Sequence, residues 1–189
     1  MDSSHATPER ATPDTGRRDL VLESALGTFA RFGYRKTSME DVARDAHISR
    51  PGLYFLFSSK QDLFRAAVTR ALERDLSAAE ECLATSERSL PDRLAAAFDY
   101  WAGGYVGAGG REMAAVIDEN PDLVGTIVET APRRFEAIIT DALCHVTGKR
   151  EARAITQTLI STSIGLKYQV DTRVAYQKRI ATAINLLVG

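Results

Sequence analysis

Apolar side chains recur along this chain with a helical period, and no stretch shows the strict alternation of a half-buried strand. Leu22, Ala25, Leu26 and Phe29 mark one face of a helix predicted from Arg17 to Phe32, which Gly33 ends. Met39, Val42, Ala43 and Ala46 fall at i, i+3, i+4 and i+7 and predict a second, short helix. Thr37 followed by Glu40 is a capping-box pattern, so this helix starts near Ser38. His47-Ile48-Ser49 leaves room only for a turn. Ser49 is a good N-cap and Pro51 fits the first turn of the next helix, predicted from Arg50 to about Phe57 with Leu53 and Phe57 inward. Two short helices about a tight turn are a helix-turn-helix layout.

A fourth helix is predicted from Lys60, capped by Ser58 and Gln61, to about Thr85, with Leu63, Phe64, Ala67, Ala71 and Leu72 inward. At about 37 Å it is long enough to join two parts of a molecule and carry a tilt between them. Pro91 opens a fifth helix with Leu94, Ala95, Phe98, Trp101 and Ala102 as apolar positions. Five glycines between 103 and 110 then weaken any helix and read as a hinge or as room for a ligand. Arg111 to Asp118 predicts a short helix, Asn120-Pro121 the next start, and Pro132 a break near Glu129–Ala131. A further helix should run to Val146, with Gly148 closing it, followed by two more at Arg150–Val170 and Thr172–Val188. The fold class is all-α: a three-helix head carrying the helix-turn-helix, and a larger helical body.

The layout has a chemical purpose when the second short helix lies in a DNA major groove and the first crosses the backbone. Its outward residues would be Arg50, Pro51, Gly52, Tyr54 and Phe55. Arg50 can donate twice to guanine or bind a phosphate, and Tyr54 can donate its hydroxyl to a phosphate. Gly52 removes a side chain where the helix must come close. Lys60 opposes the dipole at the start of its helix, at a cost of roughly 0.3–1 kcal/mol that a bound phosphate reverses.

The run T-S-M-x-D-V-A-x-x-A-x-I-S-R-x-x-L-Y-x-x-F-x-S-K-x-x-L-F, residues 37–64, resembles the N-terminal domain of TetR-family transcriptional regulators. The resemblance is strong from Arg17 to Leu76 and weak beyond. It implies a homodimeric repressor of a double-stranded DNA operator whose C-terminal part binds a small molecule. Carried over by position, it makes Thr37, Ser38, Tyr54 and Lys60 phosphate contacts, and Ser49, Arg50, Pro51, Gly52 and Phe55 the base-reading group. His47 departs from the pattern, because a glycine usually stands in that turn; a positive φ is expected there, which His tolerates better than most residues.

Composition adds limits. With 189 residues, 44 % hydrophobic and 26 % charged, the chain is globular, and no apolar run approaches a membrane span. No signal sequence is read at the N-terminus, so a cytoplasmic location is expected. Net charge is −1, but residues 17–60 carry +3 and the rest −4, which suits a DNA-binding head on a mildly acidic body. Residues 1–16, poor in large apolar side chains, are expected to be a disordered arm. The expected parts are therefore 1–16, a DNA-binding head at 17–62 with its motif at 38–57, and a ligand-binding and dimerisation body at 63–189.

Cys82 and Cys144 are expected to be reduced, buried thiols. No H-E-x-x-H, C-x-x-C, G-x-S-x-G or P-loop pattern is present, so no catalysis, metal or cofactor is expected. A pocket for an apolar or aromatic effector is expected among Phe98, Trp101, Tyr105, Met113, Ile117 and Phe135. The neighbouring pair Asp118 and Glu119 reads as helix-end carboxylates, or else as partners of a cationic ligand. The dimer interface is expected on the two last helices, at Ile155, Leu159, Thr162, Leu166, Tyr176, Ile180, Ile184 and Leu187, where Thr158, Ser161, Thr162 and Gly165 also form a small-residue stripe. The competing readings are a helical small-molecule-binding protein or enzyme with a vestigial helix-turn-helix, and an interaction module whose basic face meets an acidic partner.

Overall fold

The computed structural model describes residues 13–119 and 121–189, and of residues 13–15, 108, 109, 118, 119 and 121 the backbone alone. Every regular element among them is a helix. The first, α1 (Pro13–Phe32), begins inside the stretch expected to be a disordered arm, with proline at its first position, where a missing N–H costs nothing. The remainder of that arm, residues 1–12, lies outside the described residues. Gly33 stops α1 at φ +77.

Next come α2 (Met39–Asp45) and α3 (Arg50–Leu56). The capping box sits one residue later than expected. Ser38 is the N-cap, its Oγ accepting the Asp41 N–H at 3.1 Å while the Asp41 carboxylate accepts the Ser38 N–H at 3.0 Å. Thr37 is unavailable because it is buried and its hydroxyl donates to the Gly33 carbonyl at 2.8 Å. Between the two helices His47 has φ +53. The His47 N–H reaches the Arg44 carbonyl and the Ile48 N–H the Ala43 carbonyl, the paired bonds of a Schellman stop.

The long helix α4 (Lys60–Ala84) is capped by Ser59 with Asp62, not by Ser58 with Gln61. Ser58 instead donates its backbone N–H to the Asp62 carboxylate. After α5 (Leu90–Trp101) the glycine run divides. Gly103 and Gly104 enter a 3-10 turn (Gly103–Tyr105), Gly107 bends the chain, and Gly109 and Gly110 stand in the first turn of α6 (Ala108–Glu119). The run is thus half loop and half helix rather than a helix breaker throughout. Asn120 lies outside the described residues, as do the Asp118 and Glu119 side chains; α7 (Pro121–Val124) follows. The expected break at Pro132 does not occur. α8 (Ile127–Cys144) runs through it, because proline in the second turn leaves only one carbonyl without its usual donor. The chain ends in the hairpin of α9 (Lys149–Gln169) and α10 (Arg173–Val188).

Two cores form. The first joins Leu22, Ala25 and Phe29 of α1, Val42 and Ala43 of α2 and Leu53 of α3 to Leu63, Phe64, Ala67 and Val68 of α4, with Met113 and Val116 of α6. The second joins Leu76 and Ala79 of α4 to Phe98 of α5, Phe135 and Ile139 of α8, Leu159 of α9 and Ile180 of α10. Leu72 of α4 packs against both. A boundary at 62/63 would therefore cut through a packed cluster, since the first two turns of α4 belong to the head's core.

Candidate nucleic-acid interface and effector cavity

α3 is held from beneath by Leu53, which is fully buried, and by Phe57, its C-cap residue. That orientation turns Arg50, Pro51, Tyr54 and Phe55 to the outside. Phe55 is 87 % exposed, an unusual state for a phenylalanine with no surface to meet. Arg50 reaches Glu40 of α2 at 3.4 Å and lies over the Tyr54 ring at 5.8 Å. Both Arg50 and Glu40 are mostly exposed, so the pair holds Arg50 weakly and leaves it free for a stronger anion. Ser49 is committed to its N-cap, accepting the Gly52 N–H at 3.2 Å. A Cβ at Gly52 would stand 3.1 Å from Ser49 Oγ and 4.0 Å from Arg17 Nη2. Arg17, on α1, thus shares this surface.

Two expected phosphate contacts are corrected in detail. The Thr37 side chain faces the core and offers no hydroxyl to a ligand. Lys60 points back into the head, where Nζ donates to the carbonyls of Tyr34 at 3.0 Å and Thr37 at 3.1 Å and lies 4.5 Å from the Tyr34 ring centroid. Its first task here is to fasten the start of α4 to the α1–α2 connection, beside the aromatic contacts of Phe29, Tyr34 and Phe64. An ammonium donates three hydrogen bonds, so one remains for a phosphate. Ser38 is exposed, with its hydroxyl shared with Asp41 at 2.6 Å.

Of the expected pocket residues, Trp101, Tyr105, Met113 and Ile117 line one cavity of about 160 Å³, together with Val68, Ala71 and Leu72 of α4, Gly110, Ala114 and Lys167. Phe98 and Phe135 do not line it. They are fully packed edge to face, and Trp101 stacks on Phe135 at 4.8 Å, so these rings form the wall behind. A larger depression of about 730 Å³ lies between α4, α5 and α8, but charged and polar groups border it, among them Glu80, Arg93, Asp141 and His145. The smaller cavity is the apolar one, and it sits where α4 passes from one core to the other.

Behind this cavity the Tyr105 hydroxyl donates to the carboxylate of Asp75, which also accepts from Arg74 at 3.0 and 3.1 Å. Burial, with the Asp75 charge second, pushes the Tyr105 hydroxyl well above its ordinary value, so it stays a donor. Neither Asp75 nor Lys167 was anticipated. For Asp75 the signal was present: Ala67, Ala71, Asp75 and Ala79 succeed one another by single turns, an acid within a buried stripe.

The expected dimer residues require the largest correction. Ile155, Leu159, Leu166, Tyr176, Ile180 and Ile184 are buried within the protomer. Tyr176 even shares its hydroxyl with Ser163 at 2.7 Å, and burial pushes that hydroxyl up to about 12. Only Thr162, half-buried, and Leu187, 39 % exposed, retain surface. Amphipathic helices turn their more apolar stripe inward. The outer face of this hairpin carries Thr158, Ser161, Ile164 and Tyr168 on α9, and Val174 and Leu186 on α10.

Comparison with known proteins agrees with this geometry. The sequence profile of the bacterial regulatory proteins of the tetR family matches residues 21–67, from α1 through the first turns of α4. The HTH-type transcriptional repressor ComR of Escherichia coli is 34 % identical over 93 residues, 49 % of this chain and 43 % of that one. The regulator YfiR of Bacillus subtilis is 29 % identical over 125 residues, 66 % and 51 % of the two chains. The chain thus spans about half or less of the length of these relatives. Among solved structures, a TetR-family transcriptional regulator from Mesorhizobium loti superposes with a TM-score of 0.73 over 94 % of this chain and 98 % of its own, at 16 % identity. A TetR-like regulator from Rhodococcus follows the same path with a TM-score of 0.65 over 95 % and 100 %, at 22 % identity. The head matches in sequence, and the head and body together match in fold. On these grounds residues 21–67 carry the sequence signature of the tetR family of bacterial regulatory proteins, and the chain as a whole shares the fold of the TetR-family structures.

Proposed function

We propose that the protein is a homodimeric, ligand-responsive transcriptional regulator, not an enzyme. It represses by occupying a palindromic operator in the cytoplasm until a small molecule releases it. The reading is carried by α3, which turns Arg50, Tyr54 and Phe55 outward from a firmly packed head. Arg50 and Phe55, with the N-terminal residues of α3, read bases; Tyr54, Ser38, Arg17 and the third donor of Lys60 hold phosphates. The DNA-binding part extends through Val68, and the remainder of the chain binds effector and partner. Repression is favoured by the repressor ComR among the similar proteins.

Two heads must reach half-sites about 34 Å apart, which requires a dimer. The small-residue stripe of α9, with Ile164 and Tyr168, is the face we assign to it. An apolar or aromatic effector in the cavity beside Val68, Ala71 and Leu72 would press on α4 at the junction of the two cores. It changes operator affinity only as far as it binds the two head spacings unequally.

The test is a footprint, at stated salt, on DNA flanking the protein's own gene. A protected, two-fold symmetric site that Arg50→Ala with Tyr54→Ala abolishes is the expected outcome. Protection that survives the double substitution, in a folded protein, would refute α3 as the reading helix.

A further inference from the structure

Among the described residues, Lys167 is the one charged side chain on the wall of the small cavity, whose other lining is apolar apart from Tyr105. It is half-buried near the end of α9, and its Nζ has no hydrogen-bond or ion-pair partner among the described residues. Its Nζ lies 6.0 Å from the centroid of the Tyr105 ring. Among the described residues, charges on the adjoining elements are already committed to one another. Arg74 and the Tyr105 hydroxyl share Asp75, Arg111 faces Asp171 at 3.7 Å, and Arg173 grips Asp99 at 2.7 Å. No carboxylate is left over for Lys167 within this group.

A half-buried ammonium facing apolar walls is an unfinished electrostatic arrangement. Burial depresses the Lys167 pKa, the sign of a cation short of compensation. A neutral ligand would leave that deficit in place, and a cationic one would worsen it. A ligand with one anionic end and an apolar body would remove it while covering Val68, Leu72, Trp101 and Ile117. The cavity, about 160 Å³, limits that body to the size of a single ring or a short branched chain.

We propose that this cavity takes a small apolar monocarboxylate, its carboxylate paired with the Lys167 ammonium and its aromatic ring or branched chain against Trp101 and Ile117. Lys167 then selects the acid over its neutral isosteres. The cavity's role as effector site rests on the function proposed above; the carboxylate preference does not depend on DNA binding.

Trp101 is the chain's single tryptophan and lines the cavity, so its emission reports occupancy directly. The experiment titrates the full chain with benzoate, 3-methylbutanoate and benzamide, following Trp101 fluorescence and confirming affinities by calorimetry. Benzoate is expected to bind saturably, and benzamide, of the same shape but neutral, at least about ten-fold more weakly, since a charge-assisted pair is lost. Lys167→Met should lower benzoate to the level of benzamide without changing benzamide, and Lys167→Arg should restore the preference. Equal affinity for benzoate and benzamide in the unsubstituted protein overturns the proposal, as does the absence of any acid binding at millimolar concentration. A preference that persists in a folded Lys167→Met protein overturns it too. The footprint separates the two claims. Acid preference without operator protection sinks the regulator and keeps the carboxylate site; protection without acid preference does the reverse.

Discussion

At the turn between α2 and α3, His47 holds a left-handed conformation, φ +53, in the position where a Schellman stop favours glycine. A side chain with a Cβ is strained there by about 1 kcal/mol. His47→Gly should therefore raise stability slightly, by up to about 0.5 kcal/mol, since relief of strain outweighs the extra freedom of the unfolded chain. Thermal or urea unfolding measures it, and an unchanged or lower midpoint would show that the imidazole earns its place elsewhere. Lys60 is a residue with two tasks. Lys60→Ala removes the hydrogen bonds to the Tyr34 and Thr37 carbonyls, at about 1–2 kcal/mol of stability. If Lys60 also meets a phosphate, the slope of log affinity against log salt becomes shallower by roughly one unit, whatever the operator sequence. A stability loss with an unchanged slope would confine Lys60 to fastening α4.

At the scale of elements, the start of α2 and an ion pair between α1 and α4 carry the acid response. Asp41 is held down to about 2, first by the Ser38 side chain, then by the Ser38 backbone N–H and Arg44. Asp19 is lowered as well, chiefly by its hydrogen bonds from Arg70. Both carboxyls bind protons less readily folded than unfolded. Their stabilisation is therefore complete above about pH 4, the range of a free aspartate, and fades as pH falls through the folded value. Ser38→Ala should remove the N-cap of α2, costing about 1 kcal/mol near neutral pH, and should flatten the acid limb of the stability profile. A mutant as acid-sensitive as the parent would mean that Asp41 is not held through Ser38. Around α4 the relevant link is Asp75 with Tyr105 and Arg74, which ties the middle of the long helix to the turn before α6. A ligand that moves Trp101 or Tyr105 acts on that link directly.

At the scale of the whole molecule, the α9–α10 hairpin is divided between two tasks. Its inner face closes the second core, and its outer face carries Ser161, Ile164 and Tyr168. If this outer face forms the dimer proposed above, Ile164→Asp is expected to leave the protein monomeric, read by sedimentation. The helical content should hold, because Ile164 is 53 % exposed and outside the core. A dimer that persists in the variant would move the interface elsewhere. Among the described residues no helix is long and apolar enough to cross a membrane.

Much of this was legible in the chain. The helix-turn-helix, the stop at His47 and the reach of α4 follow from local rules: apolar spacing, N-caps, and a turn of only four residues, 46–49. Local interactions fix such features, so the sequence by itself determined the head and its outward residues on α3. Tertiary packing decided the rest. Periodicity finds the apolar stripe of a helix but not what covers it, and the stripes of α9 and α10 are covered by other helices of the same chain. It also finds aromatic residues without telling wall from lining, which is why Phe98 and Phe135 lie behind the cavity while Trp101 and Tyr105 border it. Lys167 gains its meaning only when α9 meets α4 and α6, because an unpaired charge is defined by every group that surrounds it in space.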